Sequence, residues 1–410
     1  MVSVAVISAD NLDAIKGLAR LVLKRERECT EHGSPLTTTA SPELTAQLLA
    51  VPDSALLAAI QRHRLESLLH GDPLVGALLP KLADKIKALA RAETMAALAL
   101  ASLTREMAAL FERARIPMLV IKGIPLSLQS TGSLTARGRG DLDLLVDPNS
   151  LADAVQLLEQ HGFVRKAGMF PNNLHSFWGR YSRWAGYEFS LTRQQKIGCQ
   201  WIDLHWALSN VRAPLPTFQD AWDYREQFTV NGQSVATLCV CHAFQHACAH
   251  AAKDQWMCLR NLVDIERLVR SSHQASLRPM RRFRVARFSC AIAHDLSGTD
   301  SLLSLFDCAE TRVARALREA RFAQARPWRG QEEGPWKPQH FFAAVARMLK
   351  LSINGEDWLR TLLYYTLLPA AFSDPGNGKD RGLVELLMAR IRRFRQRVDE
   401  NRRPNPTGNA

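Results

Sequence analysis

Two aspartates that alternate with leucines are the clearest chemical signal in this chain. The segment Gly140-Asp-Leu-Asp-Leu-Leu-Val146 alternates at its start and ends in an apolar run, which predicts a β-strand with one polar face. Side chains two apart in a strand point to the same side, so Asp141 and Asp143 are expected side by side. Adjacent carboxylates repel unless a cation lies between them, and Mg²⁺ takes such oxygen ligands. The pair predicts a divalent-metal site; the alternative is an edge strand with two solvated aspartates.

A third acid lies on a second alternating segment, Gln200-Trp-Ile-Asp-Leu-His-Trp206. Its central residue, Asp203, has apolar neighbours on both sides, as on a half-buried strand. If the two strands pair, Asp203 completes a cluster of three carboxylates. Such a cluster can hold two metal ions about 3.5 to 4 Å apart.

Candidate phosphate contacts precede the aspartates. A turn at Gly132-Ser133 could present backbone N–H groups and a hydroxyl to the phosphates of a nucleotide. Lys122, Arg137 and Arg139 lie around this turn in the sequence and can neutralise a triphosphate.

Three histidines recur at intervals of four residues: His242, His246 and His250. They predict one face of a helix, and two histidines at this spacing can bind zinc. A third on the same helix would be too far away to share the ion, and no glutamate accompanies them as in a zinc hydrolase. A packed helix face, or a substrate contact by His250, are the alternatives.

Two stretches are dense in arginine, residues 278–287 and 390–397. Either could follow the phosphates of a nucleic acid, and either could be a solvated helix face. The formal net charge of +13 also favours an anionic partner, but net charge speaks to association and not to fold.

The surrounding pattern is helical at both ends and contains strands in the middle. Residues 1–115 repeat apolar residues at helical spacing and predict an N-terminal helical region. Residues 116–237 contain the candidate strands, including Met118-Leu-Val-Ile121, and a predicted hairpin turn at Asn231-Gly232. Residues 238–400 predict a second helical region, and 401–410 a disordered tail. The predicted class is α+β, with a small mixed sheet flanked by large helical regions.

Taken in order, these motifs resemble the bacterial uncharacterised nucleotidyltransferase family of the polymerase-β-like nucleotidyltransferase superfamily. The resemblance covers roughly residues 50 to 300. The motifs that carry it are Val120-Ile-Lys-Gly-Ile-Pro-Leu126, Arg137, the Asp141–Asp143 strand, Ile202-Asp-Leu-His-Trp206, and His250-Ala-Ala-Lys253 followed by Trp256, Leu259 and Asp264.

The resemblance implies transfer of a nucleoside monophosphate from an NTP to an acceptor hydroxyl, amine or phosphate. Asp141 and Asp143 would hold Mg²⁺ or Mn²⁺, while Asp203 would ligate a second ion and help to deprotonate the acceptor. Lys122 and Lys253 would contact phosphates. The acceptor is unidentified; a small molecule or a modified peptide is expected before RNA. A catalytically idle relative with a binding or regulatory role, and a basic helical nucleic-acid-binding protein, are the alternatives.

Composition restricts the cellular setting. No stretch approaches the roughly 18 to 20 uninterrupted apolar residues of a membrane span, and the N-terminus lacks the features of a signal peptide. Eight cysteines are too sparse for a disulfide framework and form no zinc-ribbon pattern. A cytoplasmic protein without membrane insertion is the expectation.

Overall fold

The computed structural model describes most of the first 325 residues and parts of the remainder. The described residues are 9–33, 38–138, 140–165, 174–195, 198–272, 277–305, 310–325 and 354–366, with positions 345, 388, 391, 392 and 395. Arg139, most of the arginine-rich stretch 390–397 and the predicted tail 401–410 lie outside them.

Helices dominate both ends of the described chain. The N-terminal helices are α1 (Ala9–His32), α2 (Pro42–Ala50), α3 (Asp53–His63), α4 (Glu66–Leu69), α5 (Pro73–Leu78) and α6 (Pro80–Arg113). Those of the middle are α7 (Ile124–Thr131), α8 (Leu151–Gln160), α9 (Phe177–Ala185) and α10 (Phe218–Asp223). The later ones are α11 (Val240–Lys253), α12 (Leu259–Ser271), a 3-10 helix (Arg278–Arg282), α13 (Arg284–Ser297), α14 (Asp300–Leu305), α15 (Glu310–Gln324) and α16 (Gly355–Thr366).

The strands occupy the middle of the chain and form a mixed sheet of seven strands. They are β1 (Met118–Val120), β2 (Leu142–Val146), β3 (Val164–Arg165), β4 (Glu188–Gln194), β5 (Cys199–His205), β6 (Glu226–Val230) and β7 (Gln233–Thr237). The α+β class predicted from the sequence is confirmed, because helices flank the sheet segment on both sides along the chain.

The chain divides into two compact units. Unit 1 comprises residues 1–109, 120–142 and 224–332, and unit 2 comprises residues 110–119, 143–223 and 333–410. The limits of these units differ from the domain boundaries expected from the sequence. Those domain boundaries stay a prediction.

Unit 1 combines a short hairpin with packed helices. Strands β6 and β7 are antiparallel and are joined at Asn231-Gly232, where both residues have positive φ, 48° and 81°. Glycine readily adopts that conformation, so the predicted hairpin turn is confirmed. At its other edge β7 is parallel to the end of β1, with Val120 opposite Thr237. Helices α11, α12 and α13 pack against one another and bury Phe244, Leu262 and Ile292.

Unit 2 is built around the order β3-β4-β5-β2. Strands β4 and β5 form a long antiparallel hairpin with an unbroken register from Glu188 opposite His205 to Gln194 opposite Cys199. Helices α9 and α16 pack on each other. The buried Asp357 of α16 accepts bonds from the backbone N–H groups of Arg212 and Ala213 and so fixes the chain after β5.

Helix α6 is long and apolar. Within the described residues α6 passes the length and hydropathy test for a membrane span, although 44% of its most apolar window is buried inside the structure. The bent pair α2 and α3 would pass together. The core helix of a folded domain passes the same test, so this is weak support for a span.

Candidate functional site

Strand β2 carries Asp143, the second residue of the predicted pair of aspartates. All five residues of β2 are buried, and Asp143 is only 5% exposed. Asp141 directly precedes the strand and is exposed. Leu142 and Leu144 are buried in the core, as the alternating pattern predicts. The edge-strand alternative is wrong for Asp143, because β2 lies inside the sheet beside β5.

The β4–β5 hairpin places polar side chains on one face of the sheet. Directly opposite residues of antiparallel strands share a face, and the register pairs Glu188 with His205 and Ser190 with Asp203. Since residues two apart also share a face, these four side chains lie together. The intervening side chains are apolar and buried: Phe189, Leu191, Ile202 and Leu204.

His205 joins this face to β2. Its Nε2 lies 3.1 Å from Oδ1 of Asp143 and 3.2 Å from Oε2 of Glu188, and its side chain is 1% exposed. A ring nitrogen that meets two carboxylate oxygens must carry a proton, so His205 donates to both. Asp203 in turn accepts a hydrogen bond of 2.6 Å from the Ser190 hydroxyl. We call Asp143, Glu188, Asp203 and His205 the acidic face.

The pKa of Asp203 is affected by its acidic neighbours. Burial raises the pKa of Asp203 above its ordinary value, and the charges of Asp143 and Glu188 raise it further. The Ser190 hydrogen bond and His205 act in the opposite direction on that pKa. Asp203 lies two residues from His205 on β5 and so shares its face, and His205 contacts Asp143, which places Asp203 on the same side of the sheet as Asp143.

The carboxylate oxygens of the acidic face suit a hard divalent cation, because they are the protein ligands that Mg²⁺ prefers. Within the described part of the chain, however, no group of three or more His, Cys, Asp or Glu side chains is arranged to hold a metal ion. Mg²⁺ is usually bound through one or two carboxylates, with water and substrate phosphates completing the shell. Asp143 and Asp203 fit that role, while the participation of Asp141 stays a prediction.

Two of the predicted phosphate contacts, Lys122 and Arg137, line one cleft of unit 1. The cleft is open to solvent, with an empty volume of about 310 Å³. Its lining residues are Ile121, Lys122, Leu126, Arg137, Ala243, His246, Ala247, His250, Asn261 and Asp264. We call these residues the basic cleft.

Arg137 is fixed in the basic cleft from two directions. Its Nε donates to Oδ2 of Asp264 over 2.8 Å, and both side chains are less than 10% exposed. Its backbone N–H donates to the Ser127 hydroxyl of α7 over 3.1 Å. A carboxylate at Nε holds the plane of the guanidinium, which is the geometry that recognises planar or tetrahedral oxyanions.

The other predicted phosphate contacts are placed differently. The Gly132 N–H donates to Leu128 O at the C-terminal end of α7, and the Ser133 N–H bonds the Thr131 hydroxyl. The Ser133 hydroxyl accepts from the Thr135 N–H. These bonds use the groups that would face a phosphate, so a phosphate contact by this turn stays a prediction without support from the geometry. Lys253 is the last residue of α11 and does not line the cleft.

Gly123, a member of the Val120–Leu126 motif, begins helix α7 at a turn that was not predicted from the sequence. Gly123 lies between β1 and α7 with φ of 62°, and a Cβ there would lie 3.4 Å from Leu100 Cδ2 and 3.6 Å from the Asp141 carbonyl oxygen. These are ordinary contacts, but a side chain at this position would be strained by the positive φ. The strand, glycine and proline order in Val120-Ile-Lys-Gly-Ile-Pro is the signal that could have marked this turn.

The histidines of α11 serve different surroundings. The His242 ring lies 6.1 Å from the Tyr224 ring, whereas His246 and His250 line the basic cleft with their ring centroids 6.4 Å apart. All three are among the described residues, which contain no metal-binding cluster. The zinc alternative therefore has no support.

The arginine-rich stretch 278–287 forms an exposed surface at the 3-10 helix and the start of α13. Arg278, Arg281, Arg282 and Arg284 are exposed, and the Arg284 guanidinium lies 5.6 Å from the Phe288 ring centroid. The arrangement is a solvated basic surface, and nucleic-acid binding there stays a prediction.

Comparison with known families gives the class of the protein. A family model described as "Uncharacterised nucleotidyltransferase" matches residues 50–294, well over half of the chain, and the chain belongs to this family. The match contains both the acidic face and the basic cleft. Searches of curated proteins and of solved structures gave no match to this chain. Family membership indicates a transferase that uses a nucleoside triphosphate.

Proposed function

We propose that the protein transfers a nucleoside monophosphate from an NTP to an acceptor, with the chemistry on the acidic face. The observation that carries the proposal is that Asp143 and Asp203 lie on one face of the sheet beside His205, in a chain of a nucleotidyltransferase family. Partly buried carboxylates repel one another, and such a set is retained at a cost in stability unless a cation neutralises it.

Each acidic residue has a role in this proposal. Asp141, Asp143 and Asp203 would hold Mg²⁺ or Mn²⁺. When bound, the metal supplies neutralising positive charge at the α-phosphate. The acceptor atom forms a bond to the α-phosphorus, the bond from that phosphorus to the bridging oxygen breaks, and pyrophosphate leaves with the electron pair. Asp203 receives the proton of the acceptor.

The remaining residues position the substrates. Lys122 and Arg137 contact the phosphates, and Gly132, Ser133 and Lys253 are kept as candidates on the basis of the sequence alone. His205 donates to Asp143 and Glu188 and thereby holds both carboxylates in fixed orientations. We propose a small molecule, a peptide or a protein as acceptor, in the cytoplasm.

The test is an assay of pyrophosphate release and of label transfer. The full chain is incubated with each α-labelled NTP and Mg²⁺ or Mn²⁺, with and without pools of small metabolites and peptides. Asp143→Asn removes the charge of Asp143 but keeps its shape and the oxygen that meets His205. Asp153→Asn, at an exposed position in the first turn of α8, is the matched control.

The proposal expects turnover by the parent and by the control variant, and loss of turnover in Asp143→Asn. Equal turnover by all three proteins would reject it. Divalent-dependent NTP binding that disappears in Asp143→Asn, without turnover under any condition, would favour the idle relative. RNA binding that falls with salt, with no effect of Asp143→Asn, would favour the nucleic-acid-binding alternative.

A further inference from the structure

The basic cleft brings together side chains that are distant in the sequence. Lys122 follows β1, Leu126 lies in the first turn of α7, and Arg137 follows that helix. His246 and His250 come from α11, and Asn261 and Asp264 from α12. Helices and a loop that belong to one compact unit thus converge on a single opening to solvent.

The lining carries a formal excess of positive charge. Lys122 and Arg137 are cationic, and Asp264 is the only acidic residue of the lining. Asp264 is already engaged by Arg137. The guanidinium of Arg137 has five N–H donors, more than one carboxylate can engage. An anion that enters the cleft would therefore meet hydrogen-bond donors and charge of opposite sign.

A buried arginine next to the lining adds to this excess of positive charge. Arg260, next to Asn261 on α12, is only 8% exposed. Burial lowers the pKa of Arg260 to about 10, and repulsion by Arg137 and Arg64 contributes, while Asp264 acts against it. Burial and the charge of Glu93 raise the pKa of Glu66 to about 7, so this neighbouring carboxyl is only partly ionised at neutral pH. Arg260 thus adds positive charge next to the lining of the cleft.

The remaining polar groups of the lining suit phosphate oxygens. Asn261 carries an amide with two N–H donors, and each imidazole ring has one N–H donor when neutral. His246 is buried at the base of the cleft, whereas the His250 side chain is 31% exposed, with Asp254 at 3.7 Å from its Nδ1. Ile121, Leu126, Ala243 and Ala247 supply an apolar wall.

The cleft is small and open. Its empty volume of about 310 Å³ includes open solvent. A nucleotide would therefore place only one end in the cleft.

We propose that the basic cleft binds the polyphosphate end of a nucleotide, and that His250 and Asn261 contact phosphate oxygens beside Lys122 and Arg137. The identity of the ligand rests on the proposed function. The binding itself does not require the carboxylates of the acidic face, so unit 1 is expected to bind polyphosphate without a divalent metal.

The test is calorimetric titration of the full chain in EDTA with three probes: sodium tripolyphosphate, pyrophosphate and inorganic phosphate. Lys122→Gln and His250→Gln remove a charge and an imidazole from the cleft. His242→Gln is the matched control, since this histidine is on the same helix and faces Tyr224 instead of the cleft. Circular dichroism of each variant verifies that it folds.

Tripolyphosphate is expected to bind more tightly than phosphate. Lys122→Gln should weaken binding about tenfold and His250→Gln about threefold to tenfold, in line with charge-assisted and ordinary hydrogen bonds. His242→Gln should leave it unchanged. Equal affinity of the parent, Lys122→Gln and His250→Gln would overturn the proposal, as would the lack of any tripolyphosphate binding. Inorganic phosphate that binds as tightly as tripolyphosphate would also overturn the proposal. The cleft would then not distinguish a polyphosphate from a single phosphate group, such as that of a phosphorylated acceptor.

These outcomes are separable from the failure of the proposed function. Turnover of NTP with no polyphosphate binding in EDTA would reject the cleft and keep the transferase. Polyphosphate binding that depends on Lys122 and His250, without NTP turnover, would keep the cleft and reject the transferase.

Discussion

The candidate sites of the two compact units carry opposite charge and lie on different kinds of scaffold. Unit 2 presents carboxylates on a sheet, where the pleat and the register decide which side chains share a face. Unit 1 presents cations in a cleft between helices, where Lys122 and Asp264 are 142 residues apart in the sequence. A sheet face can be read from a period of two along the chain, whereas a helical cleft exists only once the helices have packed.

The difference also divides the work expected of each unit. The acidic face suits the step in which bonds change, because carboxylates hold metal ions and accept protons. The basic cleft suits binding, because its cations meet phosphate charge that is present in the substrate from the start. Variants of unit 2 are expected to change kcat, and variants of unit 1 to change KM. The NTP-transfer assay measures both kcat and KM for the variants of each unit.

The largest effect is expected for Asp143→Asn. Loss of this charge removes several kcal/mol of transition-state stabilisation, which corresponds to about a thousandfold or more in kcat. The KM for NTP should change far less. A variant that keeps its kcat and only raises KM would contradict the division between the units.

The next effect concerns His205, measured as kcat and as Mn²⁺ affinity by calorimetry. His205→Phe removes the donor to Asp143 and Glu188 and should cost about 10- to 100-fold in one or both quantities. His205→Gln keeps an N–H donor of similar reach and should recover most of that loss. If Phe and Gln behave alike, His205 serves packing and not the orientation of the carboxylates.

A smaller effect is expected in unit 1. Lys122→Gln should raise the KM for NTP about tenfold and leave kcat within a factor of about three, since the proposed phosphate contact would exist in both the ground state and the transition state. Exposed Lys87→Gln on α6 is the control. A fall in kcat without a change in KM would indicate that Lys122 acts in the chemical step. That result would contradict the division of roles between the two units.

Glu66→Gln should leave kcat unchanged and alter stability. Burial raises the pKa of Glu66 to about 7 from 4.5, so the folded protein binds a proton that the unfolded chain releases. Stability should therefore fall as pH rises from about 4.5 to about 7 and then stay level. Glutamine mimics the neutral form, so the variant should be more stable by about 1 to 2 kcal/mol at pH 8, allowing for solvent screening, and similar near pH 5.

Thermal unfolding at pH 5 and pH 8 measures this difference. Glu106→Gln, at an exposed position of α6, serves as the control that should show no such dependence on pH. A Glu66→Gln variant whose stability tracks the parent at both pH values would show that this carboxyl is ionised in the folded protein.

The sequence revealed the strands of the acidic face because their pattern is local. Leu142, Leu144, Ile202 and Leu204 alternate with the aspartates, and the predicted burial of these four is confirmed. Glu188 was not singled out from the sequence. Its meeting with His205 depends on the register of two strands, which no local pattern specifies.

The phosphate contacts were harder to place for a related reason. Gly132-Ser133 has the composition of a phosphate-binding turn, but its N–H groups close the end of α7. Lys122 and Arg137 were singled out by charge, whereas Asn261 was not, because only the packing of α12 brings it to the same opening. Side-chain type is visible in the sequence, but the direction of a backbone N–H and the neighbour across a helix interface are not.

The pairing of β4 with β5 has a consequence for how this protein can vary. Sliding one strand past the other by a single position would turn every polar group of the hairpin inward and every leucine outward. An insertion or deletion of one residue between Gln194 and Cys199 would shift this register. Such a change would disrupt the acidic face without altering any of its four residues.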